Sequence, residues 1–248
     1  MDRVLFIAMS GAREALANHG AQSHNLANSQ TTGFRADLMA AKSLPVYGPG
    51  HEDRAYAQLR TARIPDLTPG SLISTGRELD VAIEGEGFMV IQTRDGAEAL
   101  SRAGNLRIDT AGLLTDVSGR SIMGESGPIA LPAFDALEIG SDGTISIRPP
   151  GQTEGPLAVV DRILMAKPEP TNLYKAEDGT IRLRDGSPAV PDASVTLVAG
   201  SLETSNVNSI GSMVNMIEMQ RQFETHVRLM RTTEENDQAA ARLLRLRG

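Results

Sequence analysis

The two ends of the chain read as long helices with apolar seams at coiled-coil spacing, and the stretch between them reads as turn-rich β structure. Leu5, Met9, Ala12, Leu16, His19, Ser23 and Leu26 recur at alternating four- and three-residue steps within residues 3–28, the period of one helix face. Met213, Met216, Gln220, Phe223, Val227 and Met230 form a second stripe near the other end, and Ile210, Val214 and Ile217 widen it. A helix over 207–246 would extend about 60 Å, long for one packed inside a small domain and natural for a coiled coil. A chain with its only long helices at opposite ends is suited to pairing them with each other, with copies of itself, or both. The methionines favour an interface over two helices that merely cap a globule, because Met adapts to non-identical surfaces.

Local punctuation sets the boundaries. Asp2 is a cap candidate for the first helix, and Ser205 and Asn206 for the last. Gly11 and Gly20 each cost about 1 kcal/mol relative to Ala in a helix interior; with the neighbouring alanines they give a slim surface that a partner helix can approach. Gln30-Thr31-Thr32-Gly33 is turn chemistry and ends the helix near Asn28. Pro45, Pro49, Pro65 and Pro69, with Gly48, Gly50 and Gly70, exclude a long helix after Tyr47. Farther on, Asp95-Gly96, Asp142-Gly143, Asp178-Gly179 and Asp185-Gly186 sit between short β-prone runs, a hairpin signal. Leu137, Ile139, Ile145 and Ile147 alternate around one of them. The expected fold is α+β: long N- and C-terminal helices forming a coiled-coil-like pair, with an inserted, mostly antiparallel β domain. The expected divisions are a helix over 1–35, an extended connector over 36–79, a β domain over 80–200 and a helix over 201–248.

Composition narrows the function. Aromatics make up 3% of the chain and Trp is absent, so the core is expected to be aliphatic. A net charge of -7 argues against nucleic acid and against an anionic membrane surface. Without Cys there are no disulfides and no thiolate metal sites. No window approaches the roughly 18 apolar residues of a membrane span, and the run from Val4 to Met9 is too short for a cleavable signal. Gly85-Glu86-Gly87 lacks the third glycine of a nucleotide loop and precedes a strand, so it reads as a turn or bulge. His19, His24, His51 and His226 are not spaced as metal ligands. Arg242, Arg245 and Arg247 suit the negative end of a helix dipole. No catalytic, cofactor-binding or metal residues are therefore expected, and the chain reads as a non-enzyme. The rival reading is a β-domain ligand-binding module that the helices merely oligomerise.

Several blocks carry a resemblance. His24-Asn25-Leu26-Ala27-Asn28-Ser29-Gln30-Thr31-Thr32-Gly33-Phe34-Arg35 resembles the N-terminal signature of the bacterial flagellar rod and hook proteins. Leu79-Asp80-Val81-Ala82-Ile83-Glu84-Gly85-Glu86-Gly87-Phe88 is similar to the start of the β domain in their longer members. Gly200-Ser201-Leu202-Glu203-Thr204-Ser205-Asn206-Val207-Asn208 and Met216-Ile217-Glu218-Met219-Gln220-Arg221-Gln222-Phe223-Glu224 resemble their C-terminal signature. The Met-Asp opening and Thr233-Glu234-Glu235-Asn236 point to a proximal-rod member, with a distal-rod protein or a transient cap or adaptor as alternatives. The resemblance implies a structural subunit of the basal-body rod that transmits motor torque for motility. It implies export through the flagellar type III apparatus without a cleavable signal, and packing in the periplasmic space against copies of itself and other rod proteins. The residues expected at subunit interfaces are Leu5, Met9, Ala12, Leu16, Asn25, Leu26, Asn28, Gly33, Phe34, Ile210, Met213, Met216, Ile217, Gln220, Phe223, Val227 and Met230.

Overall fold

The computed structural model describes residues 2–39, 42–46, 54–58, 63–151, 155–176 and 178–245. Gly48, Pro49, Gly50, His51 and Arg247 lie outside them. The chain forms two compact units: one contains Met1–Ala27, Asp37–Arg63 and Asn208–Gly248, the other Asn28–Ala36 and Ile64–Val207.

The first unit is built on two helices, α1 (Asp2–Ala27) and α2 (Ser209–Arg245). With 37 residues α2 is about 55 Å long, somewhat shorter than the spacing predicts. Its cap is neither Ser205 nor Asn206. The helix starts three residues after Asn206, and Asn208 Oδ1 accepts the Gly211 N–H at 2.9 Å, the bond by which an N-cap side chain satisfies one of the first orphan donors. Asp2 lies inside α1, as its first residue, rather than before it. The helices run antiparallel: Gly11 faces the His226 ring, and Ser23 Oγ lies 3.9 Å from Met216 Sδ. A short hairpin completes this unit, pairing Lys42–Val46 antiparallel with Arg54–Gln58.

The second unit is the β domain. Its largest sheet has the spatial order Leu173–Lys175, Ile181–Leu183, Glu98–Ser101, Phe88–Gln92, Ser121–Gly124, Leu114–Thr115 and Arg107–Ile108; Gly127–Pro128 joins Ser121–Gly124, and Met165–Ala166 joins Phe88–Gln92. The described strand pairs within this unit are antiparallel. Phe88–Gln92 explains its own unbroken apolar run. Met89 and Ile91 face one buried cluster while Phe88 and Val90 face another, so both sides of the strand are covered. The first cluster also takes Leu137, Ile139, Ile145 and Ile147, whose strands Ala136–Ile139 and Thr144–Arg148 pair around Asp142-Gly143. Asp95-Gly96 and Asp178-Gly179 likewise join paired strands. Asp185-Gly186 does not: it is a turn following Ile181–Leu183, with the Gly186 N–H on Leu183 O, and no described strand after it pairs back onto Ile181–Leu183. Aliphatic residues fill both clusters, with Phe88 the one aromatic among their buried members.

Candidate assembly site

Two features stand out, one in each unit. In the β unit the Asn28–Ala36 segment leads to a buried charge cluster. The Thr31 N–H closes a turn on Asn28 O, and Thr31 Oγ1 donates to Asn28 Oδ1 at 3.1 Å. Gly33 follows at φ +65, and a Cβ added there would lie 2.1 Å from Arg102 O, so only glycine allows this approach. The Gly33 N–H donates to Glu203 O, and Phe34 O accepts the Asn206 N–H. The turn thereby delivers Arg35 to the Glu203 carboxylate. Arg35 Nη2 lies 2.9 Å from Oε1, Arg102 Nη1 lies 2.7 Å from Oε2, and the Gly70 N–H adds a third donor at 2.8 Å. The three charged side chains are at most 3% exposed.

One carboxylate against two guanidinium groups leaves an excess of positive charge in a dry place, which would be costly without further acceptors. Loop carbonyls supply them. Arg102 donates to Gly87 O at 2.7 Å and to Gly85 O, and Arg35 donates to Thr68 O. Gly85-Glu86-Gly87 thus presents carbonyls to a cation, the reverse of a phosphate loop. Lys175 adds a third buried cation; its Nζ donates to Arg35 O at 2.7 Å and sits 3.8 Å from the centre of the Phe34 ring. Burial, and then the neighbouring Arg102, push the Arg35 pKa below its ordinary value, with Glu203 opposing them. The geometry of the cluster is that of a clamp. It ties three of the four signature segments, around Gly33, Gly85 and Glu203, to one point. Asn206, beside it, accepts the Ala36 N–H and donates to Asp66 O and Thr68 O.

Glu203 and Asn206 lie inside one signature block, residues 200–208. Glu203 is the only charged residue of that block, and this isolated charge is the available signal. Arg102 and Lys175 carried none; each is one basic residue on a β strand or its flank until the fold brings it to Glu203 or to Arg35. A cleft of about 550 Å³ lies nearby, lined by Leu67, Phe88, Arg102, Lys167 and Asp192 among others. Its cations are engaged, Arg102 as described and Lys167 with Glu86 at 2.9 Å.

In the helical unit the observation is an inversion. The buried residues of α1 are Ala8, Ala12, Ala15, Ala21 and Asn25. Val4, Leu5, Phe6, Ile7, Met9 and Leu16 are exposed, Leu16 by 60%. On α2 the inward row is Ser212, Met216, Met219, Phe223, His226, Met230 and Thr233, with Ser212 and Thr233 buried and the rest half-buried. Ile210, Met213, Val214, Ile217 and Leu229 are exposed, Ile210 by 77%. α1 meets α2 along its small side chains, which leave room for the larger inward row of α2; a Cβ on Gly11 would fall 2.3 Å from the His226 ring. Gly20, by contrast, faces open space and takes no part in that approach.

The residues expected at interfaces therefore divide. Leu5, Met9, Leu16, Ile210, Met213, Ile217 and Gln220 are exposed. Ala12 is buried against the chain's own fold, and Leu26, Met216, Phe223, Val227 and Met230 are half-buried. Asn25 is buried, its amide donating to Asp37 O at 3.0 Å and accepting the Asp37 N–H at 2.7 Å. His24 Nδ1 lies 2.8 Å from Asp37 Oδ2 beside it. Asn28, Gly33 and Phe34 belong to the turn described above.

Known proteins share this arrangement of sequence. Residues 198–243 match the family described as flagellar basal body rod FlgEFG protein C-terminal, and residues 82–147 match the flagellar hook protein FlgE/F/G D1 domain. The flagellar basal-body rod protein FlgF of Salmonella typhimurium is 37% identical over 98% of this chain and 99% of its own length. FlgF of Escherichia coli is 36% identical over the same shares. FlgG of Buchnera aphidicola, from the Acyrthosiphon pisum symbiont, is 30% identical over 96% of this chain and 98% of its own. With its buried clamp, its β domain and its paired terminal helices, the chain belongs to the FlgF family of flagellar basal-body rod proteins and is a structural subunit of the rod.

Proposed function

We propose that the chain enters the rod through the apolar ridges that its own folding leaves uncovered. The observation that carries this is the inversion in the helical unit: alanines are buried while Leu5, Met9, Leu16, Ile210, Met213 and Ile217 are exposed. Monomeric proteins rarely expose contiguous apolar surface of this kind unless a partner covers it. The partners are copies of this chain and other rod proteins, packed so that α1 and α2 form coiled-coil-like seams within and between subunits. Half-buried Met216, Phe223, Val227 and Met230 lie on both sides of the boundary and serve the seam within the subunit and its flank. A shaft carrying torque needs stiff axial elements, and an α2 of about 55 Å supplies one. The reading extends to delivery through the flagellar type III export apparatus and to a proximal position in the periplasmic part of the rod. The two FlgF relatives named above are more similar to this chain than the FlgG relative, in keeping with the proximal-rod resemblance of its sequence blocks.

The test is Leu16→Asp, expressed in place of the native chain. Swimming should stop, and the chain should be missing from purified basal bodies. A motile strain with the variant present at normal stoichiometry would refute the proposal.

A further inference from the structure

The chain has ten methionines and no cysteine, so thioethers are its only readily oxidised sulfurs. They fall into distinct environments. Met89 and Met165 are 1% and 4% exposed in the β core. Met216, Met219 and Met230 are half-buried on the inward row of α2. Met9 and Met213 are 53% and 52% exposed, one on each helix, within the apolar ridges. Oxidation follows access to the sulfur. A ridge depends on apolar side chains, and a sulfoxide turns one of them polar.

We propose that Met9 and Met213 are oxidation sites, and that a hydroperoxide acting on them blocks entry of the chain into the rod. The thioether sulfur attacks the terminal peroxide oxygen and the O–O bond breaks. One S–O bond forms; the other oxygen leaves with the proton, as water when the oxidant is hydrogen peroxide. The sulfur is oxidised by two electrons and the peroxide is reduced by two. A dithiol-dependent sulfoxide reductase reverses the change. The effect is confined to the free chain, because assembly covers the same sulfurs. This inference rests on the assembly reading above and adds a chemical control to it.

The test exposes growing cells to hydrogen peroxide and maps methionine sulfoxide by mass spectrometry in three samples: basal bodies completed before exposure, basal bodies built after it, and the unassembled pool. In the pool, Met9 and Met213 should carry sulfoxide while Met89 and Met165 stay reduced. Basal bodies built afterwards should contain the oxidised chain at about one-tenth of its share in the pool, or less. The ratio of incorporation before and after exposure should fall for the native chain and hold for the Met9→Leu, Met213→Leu chain, whatever its starting level. Equal sulfoxide in the pool and in new basal bodies would overturn the inference, as would an equal fall for the doubly substituted chain. A different result would overturn the assembly reading itself: Met9 and Met213 in completed basal bodies oxidising as fast as in the pool.

Discussion

The β unit and the helical unit handle apolar side chains in opposite ways. In the β unit the large residues go inside: Ile145, Ile122, Leu106, Leu114 and Ile129 have no exposed surface. On α1 of the helical unit the small residues go inside and large ones stay out, with Ala8 at 2% against Phe6 at 52%. One unit satisfies its own hydrophobic surface. The other closes a narrow seam and leaves two apolar ridges exposed, the surfaces proposed above to meet other subunits. The contrast also separates two uses of polar groups. The Arg35–Glu203–Arg102 clamp sits in the self-sufficient unit, where water is excluded and losing a partner is severe.

Substitutions can break this comparison, and the largest effect belongs to the clamp. Glu203→Gln removes the charge shared by two buried guanidinium groups and should destabilise the β unit by about 3–5 kcal/mol. Urea unfolding of the purified chain measures it, and a loss below 1 kcal/mol would show that the carbonyls alone satisfy the arginines. Ile145→Ala should cost about 2–4 kcal/mol through lost burial and an unfilled cavity, again by urea unfolding. Gly33→Ala combines a left-handed backbone with a methyl against Arg102 O; a cost of at least 1–2 kcal/mol is expected. Near-neutral behaviour there would contradict the close approach.

In the helical unit the expectation reverses. Leu16→Asp should change the stability of the monomer by no more than about 0.5 kcal/mol, because the position is already in water. Phe223→Asp lies on the inward row, so it should loosen the helix pair as well, read as lost helicity by circular dichroism at temperatures where Leu16→Asp keeps it.

The smallest effect concerns acid. Hydrogen bonds from Thr93 to Asp95, from Thr144 to Asp142 and from the Ser187 backbone to Asp185 hold these carboxyl groups below the usual range. A depressed folded-state pKa gives stability that is fully present above the unfolded value, near 4 for Asp, and is lost as pH falls through the folded value. The Gly96, Gly143 and Ser187 amide resonances should therefore begin to shift only below about pH 4, ahead of any change in the helices.

Much of this was legible in the sequence. The period of 3.6 marked both helices and the period of two marked the Leu137–Ile139 and Ile145–Ile147 hairpin, since each regular backbone repeats its side-chain direction at a fixed interval. Three Asp-Gly pairs marked hairpins because glycine takes positive φ freely; the fourth, at Asp185, made a turn without a partner strand, a choice that depends on what lies across from it. The helical stripe was harder. The period fixes that a face exists but not which of two adjacent rows is buried. Met213, Gln220 and Val227 recur at the same spacing as Ser212, Met219 and His226, one residue around the helix. Size decided between them, because the alanines and Gly11 on α1 allow a closer approach than Leu5, Met9 or Leu16 would.

By itself, then, the sequence determined the two helices, the aliphatic β domain between them and the signature blocks, all of which are local or compositional properties. Tertiary structure alone decided that Arg35, Arg102, Lys175 and Glu203 would meet and that the apolar ridges would face outward. Those outcomes depend on contacts between residues far apart in the chain, as with Arg102 and Glu203, and no local pattern encodes which distant side chain will arrive.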